Sequence, residues 1–393
     1  MLTHRNNIVN SVDSSSFDDV GMGAFSISYV DGSSARGDYI TDVFEIGDTA
    51  VSNMTMGLAL KTDIPYGLVG VGYARNEASS STGSLYPNLP VQMQRQGLIS
   101  TVAYSLWLND LDASTGNILF GGIDTEKYHG DLTRINVYKD PRTQDFTSFL
   151  VALTSLQAFS DSGSDGLSSK EFPISVVLDS GTTLSFLPDD LATQIWKEVG
   201  AVFEQELGAA ILPCSRESGG GYFSFEFAGP GGPVINVTMD ELVLPLTSED
   251  GPQPAFQTGP YAGQEACQFG IQNMSSSDTF LLGDTFLRSA YVVYDLVNNQ
   301  IGMAATDFNA TKSNVVPFES NGAQIPSATA APNQESVPSA GSGSGAATPT
   351  FGASGGFQDE VSGDASLLGV AGWVMMVVTG ASLAFMVGVG PMY

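Results

Sequence analysis

Basic residues, histidine and cysteine are scarce in this sequence. Its 393 residues hold 14 Lys or Arg against 42 Asp or Glu, for a formal net charge of −28 and a pI near 4.1. So acidic a surface repels phosphate backbones, which argues against nucleic acid as a partner. Such a surface also suits a protein that stays soluble in acid. Of the two histidines, His4 lies in a polar start and His129 in a Tyr-His-Gly turn, so a Ser-His-Asp triad has no base. Two cysteines, Cys214 and Cys267, form no C-x-x-C pair and no Cys/His zinc cluster. No phosphate-binding G-x-x-x-x-G-K-[ST] loop occurs. The G-x-S-x-G match at Gly352–Gly356 sits in a tail of small residues, away from any strand–turn–helix context. Neither metal nor cofactor is expected. The first residues, Met1-Leu-Thr-His-Arg-Asn-Asn, contain no apolar run, so no signal peptide is read here.

What the chain does contain is Val176-Val177-Leu178-Asp179-Ser180-Gly181-Thr182-Thr183. An apolar strand that ends in a carboxylate and turns at once through glycine fixes an acid in place. Backbone N–H groups and the Ser180 and Thr182 hydroxyls surround it. About a hundred residues later come Phe280-Leu281-Leu282-Gly283-Asp284-Thr285-Phe286, then Tyr291-Val292-Val293-Tyr294-Asp295 and Ile301-Gly302-Met303-Ala304.

This combination resembles the pepsin-like aspartic peptidases over roughly residues 15 to 308. The resemblance implies an all-β, bilobal fold in which each lobe gives one Asp from a D-[TS]-G-[ST] loop backed by an apolar-apolar-Gly segment. Leu281-Leu282-Gly283 fits that segment here, and Leu68-Val69-Gly70 is its counterpart in the first lobe. The implied reaction is hydrolysis of internal peptide bonds of proteins at acidic pH. Two carboxylates would share one proton and activate a water, a behaviour for which aspartic peptidases are themselves the standard example. Asp179 is then one catalytic acid. Ser180 would hydrogen-bond across the lobe interface, Gly181 forms the turn, and Thr182 would hold the outer oxygen of Asp179. The hairpin over residues 24–47, with its Asp31-Gly32 turn, matches the family's flap. Tyr29 would be the flap tyrosine, and Gly32 and Ser33 the tip that closes on substrate.

Other acids do not fit the second catalytic position. Asp161-Ser162-Gly163 has no apolar strand behind it and lies close to Asp179 in sequence. Asp31-Gly32-Ser33 and Asp48-Thr49-Ala50 fall at or after the flap. Asp284 follows the packing glycine and is expected to cap a short helix. An internal repeat bears on this point. Phe25-Ser26-Ile27 and Asp42–Ile46 have counterparts in Phe223-Ser224-Phe225 and Asp240–Leu244 at one offset of 198 residues (223 − 25 and 240 − 42). That offset places the twin of Asp179 before Met1. The chain therefore reads as N-terminally truncated, its first lobe incomplete, with the first Asp motif and a signal peptide expected upstream. A cell-surface binding protein of peptidase shape, catalytically inactive, is the alternative.

Four divisions follow: an N-terminal lobe at 1–136, a C-terminal lobe at 137–308, a Ser/Thr/Ala/Gly/Pro-rich linker at 309–366 and an apolar end at 367–393. One helix is expected from Asp189 to Leu207, stopped by Gly208. Residues 320–356 are expected to be disordered. Sequons at Asn53, Asn236, Asn273 and Asn309 point to the secretory pathway. In that setting, and by resemblance, Cys214 and Cys267 pair as a disulfide; a cytosolic protein would carry them reduced. The apolar end has two readings, a transmembrane helix or a GPI signal. Small residues at Ser354-Gly355-Gly356, a spacer, and an apolar run from Leu367 favour a GPI anchor attached near Ser354. The Ser/Thr/Ala tail and terminal apolar run make the chain most like the GPI-anchored fungal members of the family, yapsin-like or candidapepsin-like. The expected product is an extracellular, cell-surface monomer acting on protein and peptide substrates.

Overall fold

The computed structural model describes residues 14–334, apart from 30–31, 79–84, 114, 162, 247–252 and 275–278, together with the backbone of 384–385. The structure is built almost wholly of strands. The first part of the chain supplies β1 (Asp18–Ser28), β2 (Ser34–Ile46), β3 (Thr49–Thr62), β4 (Val69–Gly70), helix α1 (Leu89–Arg95), β5 (Ala103–Trp107), β6 (Asn117–Phe120), β7 (Gly122–Asp124) and β8 (Tyr128–Asn136). The second part supplies β9 (Leu150–Ser160), β10 (Gly163–Leu167), β11 (Ile174–Leu178), β12 (Ser185–Leu187) and α2 (Asp189–Val199). It continues through β13 (Val202–Glu204), β14 (Ala209–Pro213), β15 (Tyr222–Phe227), β16 (Val234–Thr238), β17 (Val243–Pro245), β18 (Ala266–Phe269), β19 (Ile271–Asn273) and β20 (Phe280–Leu282). Last come α3 (Asp284–Leu287), β21 (Ala290–Asp295), β22 (Gln300–Thr306), β23 (Val315–Pro317) and β24 (Thr329–Ala330).

These strands form separate sheets. β1-β2-β3 is a three-stranded antiparallel sheet, and β13-β14-β18-β17 a four-stranded one. An eight-stranded sheet runs β16-β15-β9-β11-β20-β12-β19, with β10 on β9. A six-stranded sheet, β24-β8-β22-β21-β5-β6, draws strands from both ends of the chain. Alternation along β21 serves both faces of that sheet. Val292 and Tyr294 point into the main core, while Tyr291 and Val293 point into a smaller cluster with Trp107, Phe318 and Ile325. The Cys214–Cys267 disulfide is formed, its Cα atoms 4.9 Å apart.

Three expectations are corrected. The helix that starts at Asp189 ends at Val199, because Gly200 adopts the left-handed conformation (φ 70°) and caps it. Phe203 then lies in β13 instead of a further helical turn. Leu191, Ile195 and Val199 do form the helix's buried stripe. Residues 320–334 are not a loose linker. Ile325 is buried, Ala331 N–H donates to Arg134 O at 3.0 Å, Asn136 N–H donates to Gln334 Oε1 at 2.7 Å, and β24 pairs in parallel with β8. A single well-placed apolar side chain and a free sheet edge dock a segment whose composition is otherwise that of a coil. The repeat holds for one element only. Phe25–Ile27 and Phe223–Phe225 both lie in strands paired to the next strand, but Asp42–Ile46 is strand while Asp240–Leu244 spans a 3-10 turn and the start of β17.

Candidate active site

The register of the eight-stranded sheet builds the site. β11 runs parallel to β20, with Val176 opposite Phe280, Val177 opposite Leu281 and Leu178 opposite Leu282. Val176, Leu178 and Leu282 are buried, so this pair is held from both faces. One step past the last pair, Asp179 N–H donates to Leu282 O at 3.0 Å. The chain then turns, Thr182 N–H donating to Asp179 O at 3.2 Å. On its way back it is gripped by the second segment, where Asp284 N–H donates to Thr182 O at 2.8 Å and Thr285 N–H to Thr183 O at 3.0 Å. Gly283 passes so close that a Cβ there would run into the carbonyl oxygens of Thr182 and Leu184. That contact is why an apolar-apolar-Gly segment is required beside the loop.

Within this cradle Asp179 is 3% exposed. Its Oδ1 accepts from Gly181 N–H at 2.9 Å and its Oδ2 from the Thr182 hydroxyl at 2.7 Å. Burial pushes its carboxyl up to about 6, against the opposing pull of those two hydrogen bonds. The group therefore changes charge in mildly acidic solution. The Ser180 hydroxyl is buried and meets no hydrogen-bond partner among the described residues.

Sequence reasoning gave Asp284 a capping role; the geometry gives it another. Gly283 is the residue before the α3 helix, Asp284 is its first residue, and its side chain makes no capping hydrogen bond. The Asp284 carboxyl is pushed up to about 8 by burial, with Arg288 pulling it down and the charge of Asp179 pushing it further up. It is therefore a proton-bearing neighbour of Asp179 throughout the acidic range. Its position directly after the packing glycine was the available signal. Arg288, one turn on, is paired with Glu241 through Nε and donates from Nη2 to Glu241 O at 2.7 Å. Glu241 also accepts from Leu111 N–H at 3.2 Å, which ties the second part of the chain to the first.

The flap candidates lie on a different sheet from Asp179. Tyr29 closes the β1–β2 hairpin, its N–H donating to Ser33 O at 2.9 Å and its O accepting from Gly32 N–H at 3.1 Å. Gly32 takes φ 87°, a value that glycine reaches without strain. The hairpin is longer than residues 24–47, since β1 begins at Asp18 and β3 continues the sheet. Asp31 lies outside the described residues, as does Ser162. Asp161 is exposed at the β9–β10 turn and Asp48 at the β2–β3 turn. His129 is a surface group 3.0 Å from Asp307. Asn53, Asn236 and Asn309 are exposed; Asn273 is half-buried, with its amide 2.7 Å from Asp189 Oδ1. No helix among the described residues is long and apolar enough to cross a membrane. Ser354 and the 367–393 segment lie outside the described side chains.

Comparison with known proteins adds three findings. A family model described as Eukaryotic aspartyl protease matches residues 3–306. The "Probable aspartic-type endopeptidase OPSB" of Arthroderma benhamiae is 43% identical over 314 residues, which is 79% of this chain and 61% of that protein. "Secreted aspartic protease 9" of Candida albicans is 31% identical over 311 residues, 77% of this chain and 53% of that protein. The chain thus spans between about half and three fifths of the length of these relatives. In space it resembles the crystal structure of the aspartic proteinase from Irpex lacteus, with a TM-score of 0.59 at 22% identity, covering 76% of this chain and 86% of that one. That likeness concerns the fold.

Proposed function

The chain belongs to the eukaryotic aspartyl protease family, and on that premise we propose that it is an aspartic-type endopeptidase in which Asp179 is one of two carboxylates that activate water. The observation that carries this reading is the Asp179 cradle. A single buried carboxylate is held by Gly181 N–H and the Thr182 hydroxyl and balanced to ionise near pH 6. Gly181 and Thr182 fix which oxygens remain open. A carboxylate has about four lone-pair directions, and two of them are occupied here. The remaining directions are available to a water or to the second carboxyl. As base, Asp179 takes a proton from that water while the partner acid protonates the scissile carbonyl oxygen. Tyr29, Gly32 and Ser33, on a glycine-hinged hairpin, are the groups we assign to closing over an extended peptide.

The same reading extends to location. Sequons on exposed Asn53, Asn236 and Asn309, together with the disulfide, fit a secreted protein. The small-residue site at Ser354, followed by a spacer and an apolar end, fits attachment of a GPI anchor. The test is a peptidase assay on the full-length protein at acidic pH, with and without Asp179→Asn. Asn matches Asp in shape but cannot act as the base, so we expect cleavage to fall at least a thousandfold while the unfolding temperature stays near that of the parent. Equal cleavage by the two proteins would remove Asp179 from the mechanism. A folded protein that binds peptides but cleaves none in either form would favour the binding-only alternative.

A further inference from the structure

Two buried tyrosines lie within electrostatic reach of Asp179. Tyr104 on β5 and Tyr294 on β21 are paired in register across the six-stranded sheet. Their rings stack with centroids 4.8 Å apart and planes 20° from parallel, and both residues are 0% exposed. Stacked rings on neighbouring strands set their two hydroxyls side by side. Phe149 packs against both, 4.6 Å from the Tyr294 ring and 6.4 Å from the Tyr104 ring. The Phe149 carbonyl accepts at 3.2 Å from the N–H of Leu178, the residue that leads into Asp179. The aromatic cluster is thus built directly onto the strand that presents the acid. Burial, together with the negative charge of Asp179, holds both phenols well above their ordinary range.

Both phenolic oxygens are buried, and neither has a hydrogen-bond partner among the described residues. A buried hydroxyl left without a partner costs about 1–3 kcal/mol. Phenylalanine would fill the same space without that cost, so packing does not account for the two hydroxyls. Asp179 meanwhile has lone-pair directions left over after Gly181 and Thr182. A water needs about two to four polar partners to be held in an interior, and the two phenols and the carboxylate supply three.

We propose that Tyr104 and Tyr294 are positioning residues for Asp179, donating through a bound water to its carboxylate so that the acid stays oriented and ionises at a lower pH than burial alone would set. Hydrogen bonds to the charged form favour that form, so the phenols work in the same direction as Thr182. The proposal rests on Asp179 being a catalytic carboxylate, but its test is independent of cleavage.

The full-length protein is labelled with carboxyl-carbon-13 aspartate, and the Asp179 resonance, identified by its loss in Asp179→Asn, is followed against pH. Tyr294→Phe and Tyr104→Phe should each raise the Asp179 midpoint, by about half a pH unit, roughly a threefold change in proton affinity, and the double variant should raise it further. Tyr291→Phe is the control: it is equally buried on the same strand, on the opposite face, and its hydroxyl accepts from Asp124 N–H at 2.7 Å. It should leave the midpoint where it is. Where cleavage is measurable, the limb of the pH–kcat/KM profile that reports Asp179 should move up by the same amount, with KM unchanged. An unmoved midpoint in both single variants overturns the proposal, as does an equal shift in Tyr291→Phe. If a Phe variant does not fold, 3-fluorotyrosine at position 294 keeps the shape and strengthens the donor. The midpoint should then fall, and a midpoint that stays or rises also overturns the proposal. If the protein cleaves nothing, the midpoints still decide this point while the peptidase reading fails separately.

Discussion

Thr182 sets the balance at Asp179. Its hydroxyl is the nearer of the two groups that stabilise the carboxylate, at 2.7 Å, and it opposes the desolvation that otherwise raises the acid. Thr182→Val keeps the branched shape and removes the donor. A hydrogen bond to a charged group contributes about 1.5–3 kcal/mol. The Asp179 midpoint should therefore move upward from about 6, and acid-pH cleavage should drop roughly tenfold or more; carboxyl NMR and kcat/KM against pH read both. The same scale explains Gly283. Adding a Cβ there forces the Thr182 and Leu184 carbonyls apart. Gly283→Ala should cost about 2–4 kcal/mol, the range for a buried overpacking clash, seen as a large fall in the thermal midpoint and loss of activity together. A variant with an unchanged midpoint would mean that the β20–α3 segment does not grip the loop.

At the scale of elements, helix α2 carries a second buried acid. Glu198 is 1% exposed, and neither carboxylate oxygen meets a hydrogen-bond donor among the described residues. It faces Asp165 on β10, so the helix and the hairpin meet through two carboxyl groups. The other titratable groups of α2, namely Asp189, Asp190 and Lys197, lie on its more exposed positions. Strands β12 and β19, which pack on the same helix, contribute none. Burial first, and Asp165 second, push Glu198 up to about 7 from an ordinary 4.5. The folded state therefore holds this proton more tightly than the unfolded chain. Its contribution to stability is complete below about pH 4.5 and is lost as pH rises through about 7. The loss is on the order of 1–2 kcal/mol once solvent screening is allowed for. Glu198→Gln should flatten the fall in unfolding temperature between about pH 5 and 8; an equally steep fall in the variant would assign that dependence to other groups.

For the molecule as a whole, charge and cross-linking act together. A net charge of −28 repels itself once the carboxyls ionise. Besides Glu198, burial raises Glu77, Asp179 and Asp284 as well. All of these favour the folded state in acid and turn against it toward neutrality, which suits the acidic working range of the proposed reaction. The Cys214–Cys267 disulfide closes a separation of 53 residues and joins the 3-10 turn after β14 to β18. A loop of that length restricts the unfolded chain by about 4 kcal/mol. Cys214→Ser with Cys267→Ser should lower stability by about 2–4 kcal/mol in denaturant melts, with the slope of the transition rising as the unfolded chain expands.

Some of this was determined by the sequence alone. The Asp179 loop, its Leu281-Leu282-Gly283 partner, the disulfide pair and the amphipathic stripe of α2 depend on local pattern and on residue types with few alternative uses. An apolar strand into Asp-Ser-Gly-Thr, or a glycine that must pass a carbonyl, is legible without coordinates. What tertiary structure decided is what long-range contact creates. Gly200 ended α2 where Gly208 had looked the better stop, because the following residues found a strand partner in β14. The Ala/Gly/Ser-rich segment at 320–334 became ordered because a sheet edge and an apolar recess were free to receive it. Tyr104 and Tyr294, 190 residues apart in sequence (294 − 104), meet only through the pairing of β5 with β21. Burial, which raises Asp179, Asp284 and Glu198 far above ordinary carboxyls, is likewise a property of the packed molecule. A carboxylate's acidity depends on the water it has lost and the donors it has gained, and both are set by residues far away along the chain.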